Sequence, residues 1–262
     1  SPWFYFDALA KHGPGQAATY PGNEPAFFPH QGAWQHLLEA NWPTFLAEYQ
    51  AYMAQHPQAL QAYFTQELVN GPQAWQTLGL YVHGFRYHRR LRAFPRTEAL
   101  LQQVPGLVSA SFSVLGPGGR IHPHIGDANT YMRGHLGLHV PAPLPACGLQ
   151  VAEERRSWQQ GQLLFFCDAY RHSVWNDTQE PRLVLMLDIQ RPGFRQRLVA
   201  TCSRVASAIL VLMLIGRLQG LTGISPGQAN KRAWLPLRWA LQQLMRAYLP
   251  WQRRLRWLPP FG

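Results

Sequence analysis

The sequence predicts a mainly β protein, an eight-stranded jelly roll with helices on its N-terminal side and a helical appendage at its C-terminal end. Between Val108 and Ile189, short alternating apolar segments are separated by Gly and Pro turns at intervals of roughly ten residues, as in antiparallel sandwiches and barrels. Upstream, apolar residues recur with a helical period, and from Ile189 onward there is no acidic residue. A chain of 262 residues with 47% hydrophobic content can bury one substantial core.

The N-terminal part is predicted to be an arm followed by helices. Residues 1 to about 30 are rich in Pro, Gly and aromatic residues, which indicates an irregular arm. From Gly32 to about Asn70, the apolar spacing predicts one or two amphipathic helices, interrupted at Pro43. Trp75–Thr97 starts as a strand and ends in a basic loop, and a short helix is expected at Glu98–Gln103.

The jelly-roll strands are predicted from the segments SASFSVL, RGHLGLHV, CGLQVAEE, GQLLFFCD and RLVLMLDI, with a GPGG turn at Gly116–Gly119. We therefore assign residues 1–198 to one domain, with a helical part at about 30–105 and a jelly-roll core at about 106–192. Residues 199–262 form a predicted basic amphipathic helical tail.

Charge and cysteine content limit the class of protein. The net charge is +11, but residues 1–188 have 12 Lys and Arg against 13 Asp and Glu, whereas residues 189–262 have 12 Lys and Arg and no acid. The three cysteines are far apart, which favours neither a disulfide framework nor a zinc site and fits a reducing, cytoplasmic compartment. No secretory signal is visible, but Ser1 is not Met, so what precedes it stays open.

The tail contains an apolar run and an amphipathic segment. The uncharged run VASAILVLMLIG between Arg204 and Arg217 would be about 18 Å long as a helix, too short for a hydrocarbon core of about 30 Å. The second segment predicts a helix with Arg238, Gln242 and Arg246 on one stripe and Leu237, Leu241, Leu244 and Tyr248 on another.

Three interpretations of the tail compete. An anchor lying in the plane of an anionic membrane accounts for the tryptophans, the short apolar run and the missing acids, and we favour it. A helical pair docked on the main domain or on a second subunit is the structural alternative. A nucleic-acid partner is not favoured, because no base-reading motif accompanies the basic charge.

The segment HPHIGDANTYMRGHLGLHVP contains four histidines, and alternation along its strand separates polar from apolar side chains. The first set is Arg133, His135, Gly137 and His139, and the second is Met132, Leu136 and Leu138. A polar face inside a barrel is costly unless each group has a partner. The face therefore indicates either a metal or anion site or an ordinary solvated strand.

Five motifs in order extend from Phe112 to Pro192: SVLGPGG, PHIGDAN, RGHLGLHVP, FCDAYRHSVWND and RLVLMLD. In sequence and spacing they resemble the aspartyl/asparaginyl β-hydroxylase family of Fe(II)- and 2-oxoglutarate-dependent dioxygenases, which includes bacterial hydroxylases of lipid acyl chains. A fainter similarity continues upstream through NWPTF and WQTLGLY. The resemblance implies a double-stranded β-helix, the cupin-like form of the jelly roll.

The resemblance also implies the residues of the site. His124 and His172 would be the ligands of Fe(II), and the guanidinium of Arg182 would bind the far carboxylate of 2-oxoglutarate. The other residues implied for the cofactor pocket are Trp75, Ser113, Arg133 and His135. Asp168, Asn176 and Asp188 are candidates for orienting the two histidines through hydrogen bonds.

Several polar residues near the first histidine have other expected roles. Most 2-oxoglutarate oxygenases have a carboxylate residue two positions after this histidine. The resembled family lacks that carboxylate, and this chain has Gly126 at the position. Asp127, at an odd offset, is expected to point to the opposite face and to serve a turn. His122 and His139 are expected to be structural or to face the substrate.

The implied reaction couples decarboxylation of 2-oxoglutarate to succinate, using O2, with hydroxylation of an unactivated C–H bond. The substrate would be an Asp or Asn side chain of a peptide or an acyl chain of a membrane lipid, and the tail favours the lipid. The alternative from another class is a non-enzymatic ligand-binding protein on the same scaffold. The oligomeric state stays open.

Overall fold

The computed structural model describes residues 1–11, 18–30, 32–63, 66–71, 73–222 and 231–255. The strands are β1 Gln61–Ala62, β2 Trp75–Val82, β3 Phe85–Arg86, β4 Leu107–Leu115, β5 Gly119–His124, β6 Tyr131–His139, β7 Cys147–Val151, β8 Glu154–Arg156, β9 Leu163–Phe166, β10 His172–Asn176 and β11 Arg182–Gln190. The α-helices are α1 Tyr5–Lys11, α2 Ala33–Ala40, α3 Trp42–Gln55, α4 His88–Leu91, α5 Pro95–Leu101, α6 Leu198–Thr222 and α7 Leu235–Arg254.

Eight consecutive strands, β4 to β11, form a double-stranded β-helix. The larger sheet has the order β4, β11, β6, β9 and is extended beyond β4 by β2 and β1; the smaller sheet has the order β5, β10, β7, β8. Successive strands alternate between the two sheets, except that β7 and β8 form a hairpin within the smaller sheet. This is the topology of a jelly roll, so the predicted fold class is confirmed.

The outer face of the larger sheet is covered by the N-terminal helices. Leu38 of α2, Phe45 of α3 and Leu101 of α5 are fully buried in one cluster with Leu136 of β6. Pro43 lies in the first turn of α3, where its missing N–H has no intrahelical partner to lose, so the predicted interruption is the start of the second helix.

Parts of the N-terminal region differ from the prediction. The arm contains α1, and its residues Ala26 and Phe28 bond to the backbone of Cys167 and Phe165, so that it covers the free edge of β9. The expected basic loop forms the short helix α4, and the next helix begins at Pro95, because proline fixes the backbone angle that a first helical residue needs.

Strands β5 and β10 were absent from the predicted strand segments. Their sequences, GRIHPH and HSVWN, contain a proline or polar residues at positions where a half-buried strand would alternate regularly. Their pairing with each other, and that of β10 with β7, identifies them as strands, and they carry His124 and His172.

The C-terminal helices form a hairpin that packs on the domain. Cys202 and Val205 of α6 are buried against Val108 and Tyr131, together with Leu249 of α7. This packing agrees with the docked interpretation of the tail.

Helix α6 is longer than its uncharged run predicts. It continues through Arg204, whose guanidinium bonds to Asp7 of α1 at 2.7 Å, so this charge does not end the helix. The span Pro192–Leu218 is long and apolar enough to cross a membrane by length and composition, and half of its most apolar window is buried inside the protein. The expected length of about 18 Å was therefore wrong.

The orientation of α7 corrects the predicted amphipathic stripes. Arg238 is buried, bonds to Gln242 at 3.3 Å and lies 3.3 Å from Asp7, so this part of the expected polar stripe faces the protein, whereas Arg246 is exposed. The side chains of Leu237, Leu244 and Trp251 are exposed, and their spacing of seven residues places them on one face of the helix.

Candidate active site

The two candidate iron ligands lie side by side on the smaller sheet. His124 ends β5, His172 begins β10, and the two residues are register partners in the antiparallel pair. Their ring centroids are 4.1 Å apart. The jelly roll thus brings together two residues that are far apart in the sequence.

Backbone carbonyls fix both imidazoles. The Nδ1 atom of His124 lies 2.8 Å from the carbonyl oxygen of His122, and that of His172 lies 2.9 Å from the carbonyl oxygen of Tyr170. A carbonyl can only accept, so each Nδ1 carries the hydrogen and each Nε2 keeps a free lone pair. Burial lowers the pKa of His124 to about 4 and that of His172 well below its usual value, so both rings are neutral at pH 7, as metal ligands must be.

The residues expected to orient these histidines have other partners. The amide of Asn176 donates to the carbonyl oxygens of Leu115, Gly116 and Glu180 and holds the turn before β11. Asp168 and Asp188 both form ion pairs with Arg133. The prediction that these three side chains orient the imidazoles was wrong, because carbonyls two residues away in the chain occupy both Nδ1 positions.

Gly126 cannot be replaced by a carboxylate residue in this fold. A Cβ atom at Gly126 would collide with the side-chain carboxylate of Asp168, and the Gly126 N–H donates to the Asp168 carbonyl oxygen at 2.7 Å. Among the described residues, no third His, Cys, Asp or Glu joins His124 and His172 with all ligand atoms within 4.8 Å of one another. The site therefore offers two protein ligands.

A cavity between the two sheets connects the histidine pair to an arginine. Its volume is about 20 Å³, which is room for a water-sized molecule with the side chains in their present positions. Its lining consists of Trp75, Ser113, Ile121, His124, Arg133, His135, Phe166, His172, Val174, Arg182 and Met186. All seven predicted site residues are in this set.

Arg182 is buried without a partner for much of its guanidinium. The side chain is 1% exposed, and its Nε and Nη1 atoms have no hydrogen-bond partner among the described residues. Burial lowers its pKa to about 10, so it remains charged at neutral pH. A buried unpaired charge costs several kcal/mol, on the order of the penalty measured for broken buried pairs, which indicates that an anionic ligand completes it.

Ser113 and Trp75 lie on neighbouring strands of the cavity wall. The indole N–H of Trp75 donates to the Ser113 hydroxyl at 2.9 Å, and its ring stacks on Tyr63 at 3.6 Å. Because the hydroxyl accepts from Trp75, its own hydrogen is free for a ligand acceptor in the cavity.

Side chains alternate along β6 as predicted, but its two polar cavity residues, Arg133 and His135, differ in their hydrogen-bond partners. Met132, Leu136 and Leu138 pack under the helices, whereas Arg133 and His135 line the cavity. The Nε2 atom of His135 is buried without a hydrogen-bond partner among the described residues, and burial lowers the pKa of this ring well below its usual value.

Arg133, in contrast, is paired with carboxyl groups through its Nε and Nη2 atoms. Its Nε atom donates to Asp188 at 2.7 Å, and its Nη2 atom lies 3.2 Å from Asp188 and 3.3 Å from Asp168. The cluster therefore places two aspartates around one guanidinium, and burial raises the pKa of Asp168 to about 8.

The other polar residues near the motif lie outside the cavity. His139 pairs with Glu180 at 3.1 Å at the surface, and His122 is exposed. Asp127 lies in the turn after β5 and lines a separate small cavity with Arg204 and Arg238, as its odd offset predicts.

One contributor to the site was missed by the sequence analysis. Trp158, in the loop between β8 and β9, is buried, lies 3.2 Å from His135 through its indole nitrogen, and stacks on Arg182. Because the loop has neither strand nor helix periodicity, the only sequence signal for Trp158 was the SW pair that precedes a turn.

A second cluster of ligand-type side chains lies at the surface. His30, His36 and Glu39 have ligand atoms within 4.8 Å of one another, but both histidines are exposed. The Nδ1 atom of His30 already accepts the N–H of Gly32 at 3.0 Å, and one Glu39 oxygen accepts the N–H of Leu163 at 2.9 Å. Because these bonds already occupy two of the potential ligand atoms, the cluster is not arranged to hold an ion.

The donors in the cavity fit the groups that the sequence implied. Two neutral imidazoles with free Nε2 atoms suit a divalent transition metal, and a buried guanidinium without an anion suits a carboxylate. The cavity wall adds a hydroxyl and an imidazole N–H, both suited to carboxylate or carbonyl oxygens.

Comparison with known proteins agrees with this geometry. The family model of aspartyl/asparaginyl beta-hydroxylase matches residues 39–192. The ornithine lipid ester-linked acyl 2-hydroxylase of Rhizobium tropici is 32% identical over 174 residues, covering 65% of this chain and 62% of that protein. The human aspartyl/asparaginyl beta-hydroxylase is 31% identical over 123 residues, covering 45% of this chain and 16% of that protein.

The chain thus spans less than two thirds of the length of these relatives. Among solved structures, it is similar to a prolyl-4-hydroxylase of Pseudomonas putida, with 17% identity, a TM-score of 0.41 and coverage of 71% of this chain and 97% of that one. With the family model matching more than half of the sequence, the chain belongs to the aspartyl/asparaginyl β-hydroxylase family.

Proposed function

We propose that this protein is an Fe(II)- and 2-oxoglutarate-dependent dioxygenase that hydroxylates an unactivated C–H bond. The observation that supports this most strongly is one cavity lined by two free imidazole Nε2 atoms and a buried guanidinium without a partner. A purely structural core would gain nothing from this arrangement, since the Nε and Nη1 atoms of Arg182 have no hydrogen-bond partner in the part of the chain that the structure describes.

The residues divide the task between metal and co-substrate. His124 and His172 would hold Fe(II) through Nε2, and Arg182 would bind the far carboxylate of 2-oxoglutarate, with Ser113 and His135 donating to its other oxygens. Bound iron supplies the activation of O2 for hydroxylation. The protein excludes water from this chemistry, because His172, Phe166 and Arg182 are nearly inaccessible to solvent.

The test of this proposal is formation of succinate. Protein reconstituted with Fe(II) is incubated with 2-oxoglutarate, O2 and either a lipid extract or a peptide pool, and succinate and products heavier by one oxygen atom are measured. The proposal predicts succinate in one pool, none without iron and none in His172→Ala. Iron-loaded wild-type protein that yields no succinate with either pool would instead support a non-enzymatic binding protein.

For the substrate, we favour an acyl chain of a membrane lipid over an Asp or Asn side chain. The Rhizobium tropici relative is by its name an acyl hydroxylase, and its match covers more of this chain than the match of the human protein does. The lipid pool is therefore expected to gain the oxygen atom.

The C-terminal hairpin supports a location at a membrane surface. On α7, Trp239, Leu244 and Trp251 are each exposed by about 60%, which is unusual for large apolar side chains. Arg246 and Arg254 of the same helix are also exposed, and residues 189–262 contain no acid. This combination fits the interface of an anionic lipid bilayer, with the domain on its cytoplasmic side.

Flotation with anionic liposomes tests this location. Wild-type protein should float at low salt, and the double substitution Leu244→Glu/Trp251→Glu should remain at the bottom. Leu144→Glu, which alters an exposed leucine of the catalytic domain, is the matched control and should float. Protein that remains at the bottom without either substitution contradicts the membrane location but leaves the hydroxylase proposal intact.

A further inference from the structure

Trp158 contacts two of the groups proposed to bind 2-oxoglutarate. Its side chain is 2% exposed, its indole nitrogen lies 3.2 Å from Nδ1 of His135, and its ring lies 4.7 Å from the guanidinium carbon of Arg182. Both neighbours have unpartnered nitrogen atoms in the same cavity.

The contact with His135 selects one tautomer of the imidazole. An indole N–H can only donate, so Nδ1 of His135 must accept and carries no hydrogen. In a neutral ring the hydrogen then resides on Nε2, the atom that is buried without a partner. His135 therefore presents a hydrogen-bond donor where its other tautomer would present a lone pair and repel a carboxylate.

The contact with Arg182 supports the guanidinium from its face. A guanidinium stacked on an aromatic ring gains cation–π attraction and keeps its in-plane N–H groups available. The unpartnered Nε and Nη1 atoms are such in-plane donors. The ring thus limits the motion of Arg182 while leaving its binding edge free.

We propose that Trp158 is a positioning residue for 2-oxoglutarate, which holds His135 as an Nε2–H donor and holds Arg182 in place for a carboxylate. This inference rests on the proposed function, because it assigns the two donors to the same co-substrate. Trp158 itself does not line the cavity and would act only through His135 and Arg182.

Trp158→Phe separates the two contacts, since it keeps an aromatic ring beside Arg182 while it removes the indole N–H together with the rest of the five-membered ring. The matched control is Trp175→Phe, which removes an indole N–H that donates to the Pro145 carbonyl oxygen at 2.7 Å on the outer side of the smaller sheet. Both variants are loaded with Zn(II), a diamagnetic substitute for iron, and their thermal unfolding is compared with that of the wild type.

Two readouts are expected to change together in Trp158→Phe. Long-range ¹H–¹⁵N spectra, with the His135 signals assigned through a His135→Gln variant, should show one Nε2–H tautomer in the wild type and a mixture in Trp158→Phe. Calorimetric titration with 2-oxoglutarate should give a roughly three- to tenfold weaker affinity, as expected for one lost hydrogen bond. Trp175→Phe should match the wild type in both readouts.

Several results would overturn the role of Trp158. One is a wild-type His135 with its hydrogen on Nδ1, and another is an unchanged tautomer and affinity in Trp158→Phe. If the wild type binds no 2-oxoglutarate although its His135 tautomer depends on Trp158, the proposed function fails and this role fails with it. Normal binding in both proteins refutes Trp158 alone.

Discussion

The two ends of the active-site cavity each bury an arginine, and the arginines differ in their partners. Arg133 is surrounded by Asp168 and Asp188 within 3.3 Å, whereas the Nε and Nη1 atoms of Arg182 have no partner among the described residues. Buried charges in proteins are normally paired. The comparison indicates that the first arginine is part of an ion cluster of the domain, whereas the second retains donor atoms for the ligand that we propose.

Removing the charge of Arg133 and removing that of Arg182 are expected to change the free energy of unfolding differently. This is the largest of the effects predicted here. Arg133→Met leaves two carboxylates buried without a counter-ion and should lower the free energy of unfolding by about 3–5 kcal/mol. Arg182→Met replaces an unpaired charge by an apolar chain and should leave stability unchanged or raise it. Urea unfolding of both variants checks this, and equal losses would remove the distinction between the two ends.

The affinity for 2-oxoglutarate should change in the reverse order, falling more in Arg182→Met than in Arg133→Met. Arg182→Met should weaken it by about 2–5 kcal/mol, as for other buried charge pairs that lose one partner. Arg182→Lys keeps the charge but loses the planar fork and should recover only part of the affinity. Calorimetry on Zn(II)-loaded protein measures both, and unchanged affinity in Arg182→Met would contradict the assignment.

Acid should destabilise the histidine end of the metal-free protein. Burial lowers the pKa of His124 to about 4 from an ordinary value of 6.5. Below pH 6.5, His124 therefore binds a proton in the unfolded state but not in the folded state. Stability should therefore be constant above pH 6.5 and fall between pH 6.5 and 4, by up to about 3 kcal/mol for this group.

Unfolding titrations at several pH values measure that loss. His124→Gln should reduce the slope, and His56→Gln, at an exposed position after α3, should leave it unchanged. A slope that is the same in all three proteins would show that His124 titrates normally.

The smallest expected effect concerns the hydroxyl on the cavity wall. Ser113→Ala removes an acceptor for the Trp75 N–H and a donor for the ligand, so the affinity for 2-oxoglutarate should fall by about 0.5–1.5 kcal/mol. Ser157→Ala, which loses a hydrogen bond to the Cys147 carbonyl outside the cavity, is the control for calorimetry. A decrease of the same size in both variants would assign the effect to stability.

Strand periodicity, which is local, predicted only part of this cavity, and the resemblance of the motifs to a known family supplied the rest. Alternation alone separated Arg133 and His135 from Leu136 and Leu138, and the motifs brought in His124, His172 and Arg182. What failed depended on contacts between distant segments. The ion cluster around Arg133 and the support from Trp158 require packing that no spacing in the chain records.

The tail shows the same limit. Arg204 marked the end of an apolar run in the sequence, but its partner Asp7 lies near the other end of the chain and neutralises it within a longer helix. Likewise, periodicity predicted the stripes of α7 but not which residues face the protein. Arg238 faces it because it lies beside Asp7, whereas Arg246 of the same stripe is exposed.

Calorimetric titration of 2-oxoglutarate into Fe(II)-loaded protein without oxygen tests the central claim most directly. The account predicts one molecule bound per chain, strong dependence on the metal, and loss of binding in both His172→Ala and Arg182→Met. Binding that persists without metal and in both variants would contradict it, since the diacid would then be held somewhere other than between the histidine pair and the unpaired arginine.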